Sequence, residues 1–190
     1  MVLKRSSGII LHPSSFPGPD GIGDLGPEAF RWIDFLSESG CSLWQVLPLG
    51  PTGYGDSPYQ CFSAFAGNPY LISPLILLDQ KFLSSKDFAD RPAFPDHIVD
   101  FGPVIQWKIK ILNRAFSKFL KSKDNGLLKR FDSFCQENSN WLNDFALFMS
   151  IKEALGGGAW GEWPQNLRNR ESQSIRSFSE ENTQEILKHK

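Results

Sequence analysis

The sequence predicts an α/β fold that opens with a parallel βαβ unit and continues as a mainly helical region. Two short apolar runs, residues 8–11 and 43–47, have the length and the flanking residues of buried strands. An amphipathic stretch lies between them. A strand, a helix and a second strand within about forty residues form a right-handed βαβ unit with parallel strands. After Ser73 the strand pattern stops and helical periods take over.

The predicted helix between the two strands has clear boundary signals. Asp24 or Gly26 stands near its N-cap, Pro27 in its first turn, and Gly40 after its end. Its apolar side chains recur at helical spacing and form one wide stripe, which consists of Ala29, Phe30, Trp32, Ile33 and Leu36. This stripe predicts a helix that packs on a sheet.

Helical periods continue through the second half of the chain. A short helix and a turn are expected within residues 74–90, and three longer helices follow them up to the glycines at 156–158. Their aromatic stripes are interpreted as core side chains rather than as sugar platforms. The predicted divisions are residues 1–73 with both strands and a long loop, a helical subdomain at 74–170, and a polar tail or a further helix at 171–190.

Composition indicates a globular protein whose substrate is neutral. The 190 residues are 41% hydrophobic and 22% charged, with a net charge of -1, so nothing favours nucleic acid or an anionic membrane as partner. The cysteines, Cys41, Cys61 and Cys135, predict neither a disulfide framework nor a zinc site. The sequence starts without an apolar leader and has no run of about 18 apolar residues. We expect a cytoplasmic protein without a membrane span, metal or organic cofactor, and the oligomeric state is left open.

The connection between the first predicted strand and the helix that follows contains two patterns that imitate known sites. Residues 21–26 spell GxGxxG, but about ten residues separate these glycines from the first strand, and the second strand ends without the acid that a dinucleotide site needs. Asp20 and Asp24 suggest a calcium loop, yet the further ligands of an EF-hand do not follow, and a turn is favoured.

The loop after the second strand carries the candidate binding residues. A loop that follows a buried strand is where α/β proteins keep their ligand chemistry. Tyrosine covers the apolar face of a sugar ring, while Ser, Asp and Gln bond its hydroxyls. The candidates are Tyr54, Asp56, Ser57, Tyr59 and Gln60. Because the same residue types favour turns, an ordinary structured loop is the alternative.

Three segments resemble the amino-terminal part of the amylomaltase-type 4-alpha-glucanotransferases, also called disproportionating enzymes. They are HPSSFPGPDGIGDLG, LPLGPTGYGDSPYQCFSAFAGNPYLIS and WLNDFALFMSIKEALGGGAWGEWP. The resemblance extends over residues 5–170 in order. It implies the opening βαβ portion of a (β/α)8 (TIM) barrel, here incomplete, with an inserted mainly helical subdomain that buttresses the long loop.

The resemblance implies a retaining transfer of an α-1,4-glucan segment to the 4-hydroxyl of another glucan or of glucose. Retention requires two carboxyl groups about 5–5.5 Å apart, a nucleophile and an acid/base. The family carries them on strands downstream of the matched region, so no catalytic residue is expected in this chain. By matched position, Tyr59 and Ser57 are expected near the cleavage point and Tyr54 at a second glucan contact. Asp56 and Gln60 are expected to assist through hydrogen bonds.

Two function classes remain open. The chain is either the amino-terminal portion of a glucanotransferase, as a fragment or a truncated product, or a complete small protein that binds α-glucan without turning it over. The βαβ unit favours the first, and a reading frame that continues into barrel strands would decide. The roles of His12, Trp160 and Trp163 also stay open between ligand contact and loop structure, with the structural role favoured for both tryptophans.

Overall fold

The computed structural model describes residues 5–190, with the side chain of Tyr54 outside the described part. Within it two strands and eight α-helices follow one another. In chain order they are β1 (Gly8–Ile10), α1 (Pro27–Glu38), β2 (Leu43–Gln45), α2 (Pro74–Asp79), α3 (Phe101–Phe119), α4 (Asn125–Glu137), α5 (Leu142–Ala154), α6 (Gln165–Arg168), α7 (Ser172–Glu181) and α8 (Thr183–Lys188). None of the helices in this described part has the length and apolarity to cross a membrane.

The two strands pair in parallel, as the sequence predicts. Gly8 lies opposite Leu43 and Ile10 opposite Gln45. Two long loops follow the carboxyl ends of the strands. We call residues 11–26 the β1 loop and residues 46–73 the β2 loop. Because the strands are parallel, both loops leave the sheet from the same edge.

Neither strand is buried, which corrects the sequence prediction. Ile10 is 56% exposed and Leu43 is 58% exposed, and only the middle residue of each strand is half-buried. A sheet of two strands leaves both outer edges unpaired and cannot cover its own faces. The two apolar runs therefore predict the strands correctly, but the predicted burial of the strands is wrong.

Only part of the apolar stripe of α1 is buried. Ala29 and Leu36 are buried, whereas Phe30 is 61% and Ile33 is 49% exposed. The helix ends before Gly40, whose φ of 69° suits glycine. The predicted boundaries are therefore right, and the predicted packing is right for about half of the stripe.

The first compact unit ends at Ser122 and has its core on α3. The buried side of this helix packs against α2 and the short turn Ser85–Phe88. The core cluster consists of Leu83, Trp107, Ile111 and Ala115, with Leu77, Leu78, Phe82, Phe88, Phe94 and Leu112 packed around it.

The second compact unit is Lys123–Lys190. Its core combines α5 with the helices that follow it and consists of Leu147, Ile151 and Trp163, with Phe148, Leu167, Ile175, Phe178 and Ile186 around them. Residues 171–190, open between a tail and a helix in the sequence, form α7 and α8. Packing divides the chain after Ser122. The divisions predicted at residues 73 and 170 stay a prediction.

Candidate functional site

The middle of the β2 loop is closed into a tip. Thr52 and Cys61 form an antiparallel bridge, and the Phe62 N–H donates a hydrogen bond of 3.2 Å to the Pro51 carbonyl. Residues 52–61 are therefore held as one hairpin-like unit. This tip contains all five residues that the sequence predicts to bind ligand.

Two successive residues with left-handed backbone turn the chain within the tip. Gly55 has a φ of 66° and Asp56 a φ of 54°. For a residue with a side chain this conformation costs about 1–2 kcal/mol, although Asp tolerates it better than most. Asp56 therefore takes part in the turn, in addition to the hydrogen-bonding role predicted for its carboxylate.

Ser57 organises the turn that follows. Its hydroxyl oxygen accepts a hydrogen bond of 3.3 Å from the Tyr59 N–H, and its carbonyl accepts one of 3.1 Å from the Gln60 N–H. This arrangement is a local side-chain turn, which Ser favours. Since the hydroxyl oxygen is the acceptor here, its hydrogen is still available for a ligand.

The turn presents Tyr59 to solvent. Its side chain is 71% exposed, and Gln60 beside it is also exposed. The structure thus brings Asp56, Ser57, Tyr59 and Gln60 together on one tip, whereas the side chain of Tyr54 lies outside the described residues. Whether this group binds a glucan stays a prediction.

Asn68 and Tyr70 secure the return of the β2 loop. The Asn68 N–H donates to the Leu49 carbonyl at 2.8 Å, and its side-chain oxygen accepts from the Tyr70 N–H at 2.9 Å. Burial raises the pKa of the Tyr70 phenol, and the nearby charge of Asp56 raises it further. Tyr70 therefore stays protonated beside the Asp56 carboxylate at neutral pH.

His12, at the end of β1, builds the β1 loop. Its Nδ1 lies 2.7 Å from the Ser14 hydroxyl and accepts a hydrogen bond of 3.3 Å from the Ser14 N–H. Burial lowers the pKa of the ring, and the Pro48 carbonyl opposes this effect. Because Nδ1 accepts from the Ser14 N–H, the neutral ring carries its hydrogen on Nε2.

A buried lysine lies behind the two loops. Lys108 on α3 is 0% exposed, and its ammonium donates to the Ile72 carbonyl at 2.9 Å and to the Asp24 carboxylate at 3.3 Å. Burial lowers the pKa of Lys108, while the negative charges of Asp24 and then Asp20 act in the opposite direction. The ammonium is thus compensated by acceptors from both loops.

The acidic residues of the β1 loop have protein partners. Asp20 accepts a hydrogen bond of 2.8 Å from the Trp107 indole, and Arg91 stands 3.8 Å from it. Lys108 is the partner of Asp24. Within residues 5–190 no cluster of three or more His, Cys, Asp or Glu side chains is placed to hold a metal. The turn interpretation, favoured over a calcium loop, stays a prediction.

The two tryptophans of the second unit differ in exposure. Trp163 is 6% exposed, with its ring centroid 5.2 Å from that of Phe148, and its indole donates to the Gly158 carbonyl at 3.4 Å. Trp160 is 55% exposed. Trp163 is therefore a core side chain that holds the glycine segment of residues 156–158 in place. For Trp160, ligand contact and a structural role in the loop both stay open.

Comparison with known proteins decides the family. The sequence profile described as 4-alpha-glucanotransferase matches residues 11–190. The chain belongs to the 4-alpha-glucanotransferase family. The resemblance of the three motif segments to the amylomaltase type is confirmed.

Relatives of this 4-alpha-glucanotransferase-family chain are considerably longer. The 4-alpha-glucanotransferases of Thermus thermophilus and Synechocystis are 46% and 44% identical over 189 residues, which cover 100% of this chain and 37% of each relative. The solved amylomaltase of Streptococcus agalactiae in complex with acarbose superposes with a TM-score of 0.91 at 37% identity, over 98% of this chain and 37% of that one. The chain therefore spans slightly more than a third of the length of these three proteins.

The position of Lys108 was missed by sequence reasoning about this glucanotransferase-family chain. The aromatic stripes of the helical region predict an apolar core, and this pattern does not point to a buried cation. The available signal was a lysine on the apolar side of α3, at helical spacing between Val104 and Ile111. A charged residue in such a stripe indicates a buried partner elsewhere in the chain.

Proposed function

We propose that the chain is the amino-terminal portion of an amylomaltase-type 4-alpha-glucanotransferase. The complete enzyme transfers a segment of an α-1,4-glucan to the 4-hydroxyl of an acceptor glucan or glucose. The mechanism is a retaining double displacement by two carboxylates about 5–5.5 Å apart. No acid of these 190 residues is assigned either role, and this chain contributes part of the substrate groove.

The parallel pair supports a place at the start of a (β/α)8 barrel. In this proposal β1 and β2 are its first two strands, and further strands and helices cover Ile10, Leu43 and Phe30, which are exposed here. Barrels of this kind bind substrate on the loops after the carboxyl ends of their strands. The β1 and β2 loops leave the sheet at that end.

The observation that carries the proposal is the exposure of Tyr59 on a fixed tip at the carboxyl edge of a parallel pair. An exposed phenol ring offers its face to a glucose unit. Asp56, Ser57 and Gln60 of the same tip offer acceptors and donors for sugar hydroxyls, and Tyr54 is proposed as a second contact. The acarbose complex of the similar amylomaltase supports a glucan as the ligand.

The experiment is a disproportionation assay with the full-length protein encoded by the gene. Incubated with maltotriose, it should release glucose and form longer maltooligosaccharides, while the 190-residue chain alone should release none. Glucose release by the 190-residue chain would contradict the assignment of the carboxylates to other parts of the enzyme.

The alternative function is α-glucan binding without turnover, which the exposed tip would also permit. The same assay separates the two functions when maltooligosaccharide binding is measured in parallel by calorimetry. Binding without any glucose release from the full-length protein favours the alternative. Release of glucose excludes it.

A further inference from the structure

The last residues of the β1 loop and the β2 loop lie side by side. The Leu25 N–H donates a hydrogen bond of 2.9 Å to the Leu71 carbonyl, which joins the two loops backbone to backbone. A side chain added at Gly26 would collide with Ser73, so the two segments are closely packed here. We call this contact the loop joint.

Lys108 holds the loop joint from α3. Its Nζ donates to the carbonyl of Ile72, which directly follows Leu71, and to the carboxylate of Asp24, which directly precedes Leu25. One ammonium therefore ties both loops at the positions where their backbones meet. The Lys108 side chain is fully buried, and that of Asp24 is 15% exposed.

The loop joint is connected to the entry of the β2 loop by successive contacts. Tyr70 belongs to the short turn Pro69–Leu71, which ends at the joint, and the negative charge of Asp56 raises the pKa of its phenol. Asn68 caps this turn and also bonds to Leu49 at the entry of the β2 loop. A displacement of the joint would therefore be passed through Asn68 to Leu49, which precedes the tip in sequence.

The apolar side of α3 is a costly place for a cation. Lys108 stands between Val104 and Ile111, both 0% exposed, where an apolar side chain of similar length would avoid the desolvation of a charge. A buried ion pair is weak evidence for added stability, and in some proteins such groups fix one geometry instead.

We propose that Lys108 is a positioning residue that fixes the β2 loop, and with it the turn of residues 57–60, for glucan binding. The inference rests on the proposed function and deepens it. Lys108 touches no substrate; it acts through the Ile72 carbonyl and the Asp24 carboxylate. A residue that served only to fill the core would affect all of α3 rather than the loop joint.

The test compares two variants of the full-length enzyme, Lys108→Met and the control Lys110→Met. Methionine keeps the length of the side chain and removes the ammonium, and Lys110 lies on the same helix, 54% exposed and paired with Asp90.

In Lys108→Met, hydrogen exchange of segment 20–26, which contains the Leu25 amide, should accelerate about tenfold, with segment 105–115 unchanged. The KM for maltotriose should rise about three- to tenfold while kcat changes less than about twofold. Lys110→Met should match the wild type in each measurement.

Two results would overturn the proposal. The first is an unchanged exchange rate of segment 20–26 with an unchanged KM; the second is an equal acceleration of segment 105–115, which indicates a general loss of stability. If Lys108→Met does not fold, Asp24→Asn, which keeps the shape and removes the charge, is judged by the same criteria. A wild-type enzyme that releases no glucose from maltotriose contradicts the proposed function, whereas the exchange measurement still decides whether Lys108 holds the loop joint.

Discussion

The indole Nε1 of Trp107 donates a hydrogen bond of 2.8 Å to the Asp20 carboxylate across 87 positions of sequence. Both side chains are 2% exposed, and Arg91 lies 3.8 Å from the same carboxylate oxygen. A buried carboxylate is stable only where donors surround it. This pair therefore attaches the β1 loop to α3.

Loss of the indole donor should destabilise the protein measurably. Trp107→Phe removes core volume and leaves a buried oxygen of Asp20 without its donor, so we expect the free energy of unfolding to fall by about 2–4 kcal/mol. Urea unfolding measures this change. Trp160→Phe, at a site 55% exposed, is the control and should change it by less than about 0.5 kcal/mol. Equal effects of the two substitutions would contradict the role given to Trp107.

A close backbone approach requires glycine at position 23 of the β1 loop. The Gly23 N–H donates to the Ser14 carbonyl at 3.0 Å, and a Cβ at Gly23 would collide with the backbone of Pro13 and Phe16. Gly23→Ala should therefore cost about 1–3 kcal/mol of unfolding free energy. Gly67→Ala, where a Cβ meets nothing within 4 Å, should be nearly neutral in the same thermal or urea melt. A neutral Gly23→Ala would show that the β1 loop is packed differently.

Asp87 should contribute to stability only above acidic pH. Hydrogen bonds from the Ser84 side chain, and then from Lys118, lower the pKa of Asp87 to about 2. Because the pKa of Asp87 is lower in the folded state than in the unfolded state, its contribution to stability is present above about pH 4. This contribution is lost as the pH falls toward 2. Since solvent screens this surface group, Asp87→Asn should cost only about 0.5–1 kcal/mol at pH 7 and flatten the acid limb of stability against pH. An unchanged acid limb would contradict the shift.

His12 should make the protein less stable in mild acid. Burial lowers the pKa of the ring, partly opposed by the Pro48 carbonyl, so the unfolded chain takes up the proton first. The stability contributed by His12 is therefore fully present above the unfolded-state pKa of about 6.5. It declines as the pH falls from there through the lower folded-state pKa. His12→Gln keeps an acceptor without titrating, and urea melts at a series of pH values should show a shallower decline below about 6.5. The same decline in the variant would exclude His12 as its source.

Local signals predicted what depends on neighbouring residues. Gly26, Pro27 and Gly40 marked the ends of α1, and the tip residues were found together because they are contiguous in sequence. The parallel pairing also followed, since a helix between two nearby strands allows little else.

Burial and long-range polar contacts could not be predicted in this way. The exposure of Ile10 and Leu43 depends on what covers the sheet, which an apolar run does not reveal. The partners of Lys108 lie 84 and 36 positions away, at Asp24 and Ile72. Sequence periodicity indicates which side of a helix is apolar, but it does not identify distant acceptors.

The central claim is that the tip of the β2 loop forms one wall of a groove for linked glucose units. The most direct measurement is the steady-state kinetics of maltotriose disproportionation by the full-length enzyme with Tyr59→Ala and Phe65→Ala, two aromatic side chains of the same loop that are both 71% exposed. Loss of ring stacking should lower the kcat/KM of Tyr59→Ala by a factor that corresponds to about 1–3 kcal/mol of transition-state stabilisation. The kcat/KM of Phe65→Ala should stay near that of the wild type. A wild-type kcat/KM in Tyr59→Ala, or equal losses in both variants, would contradict the claim.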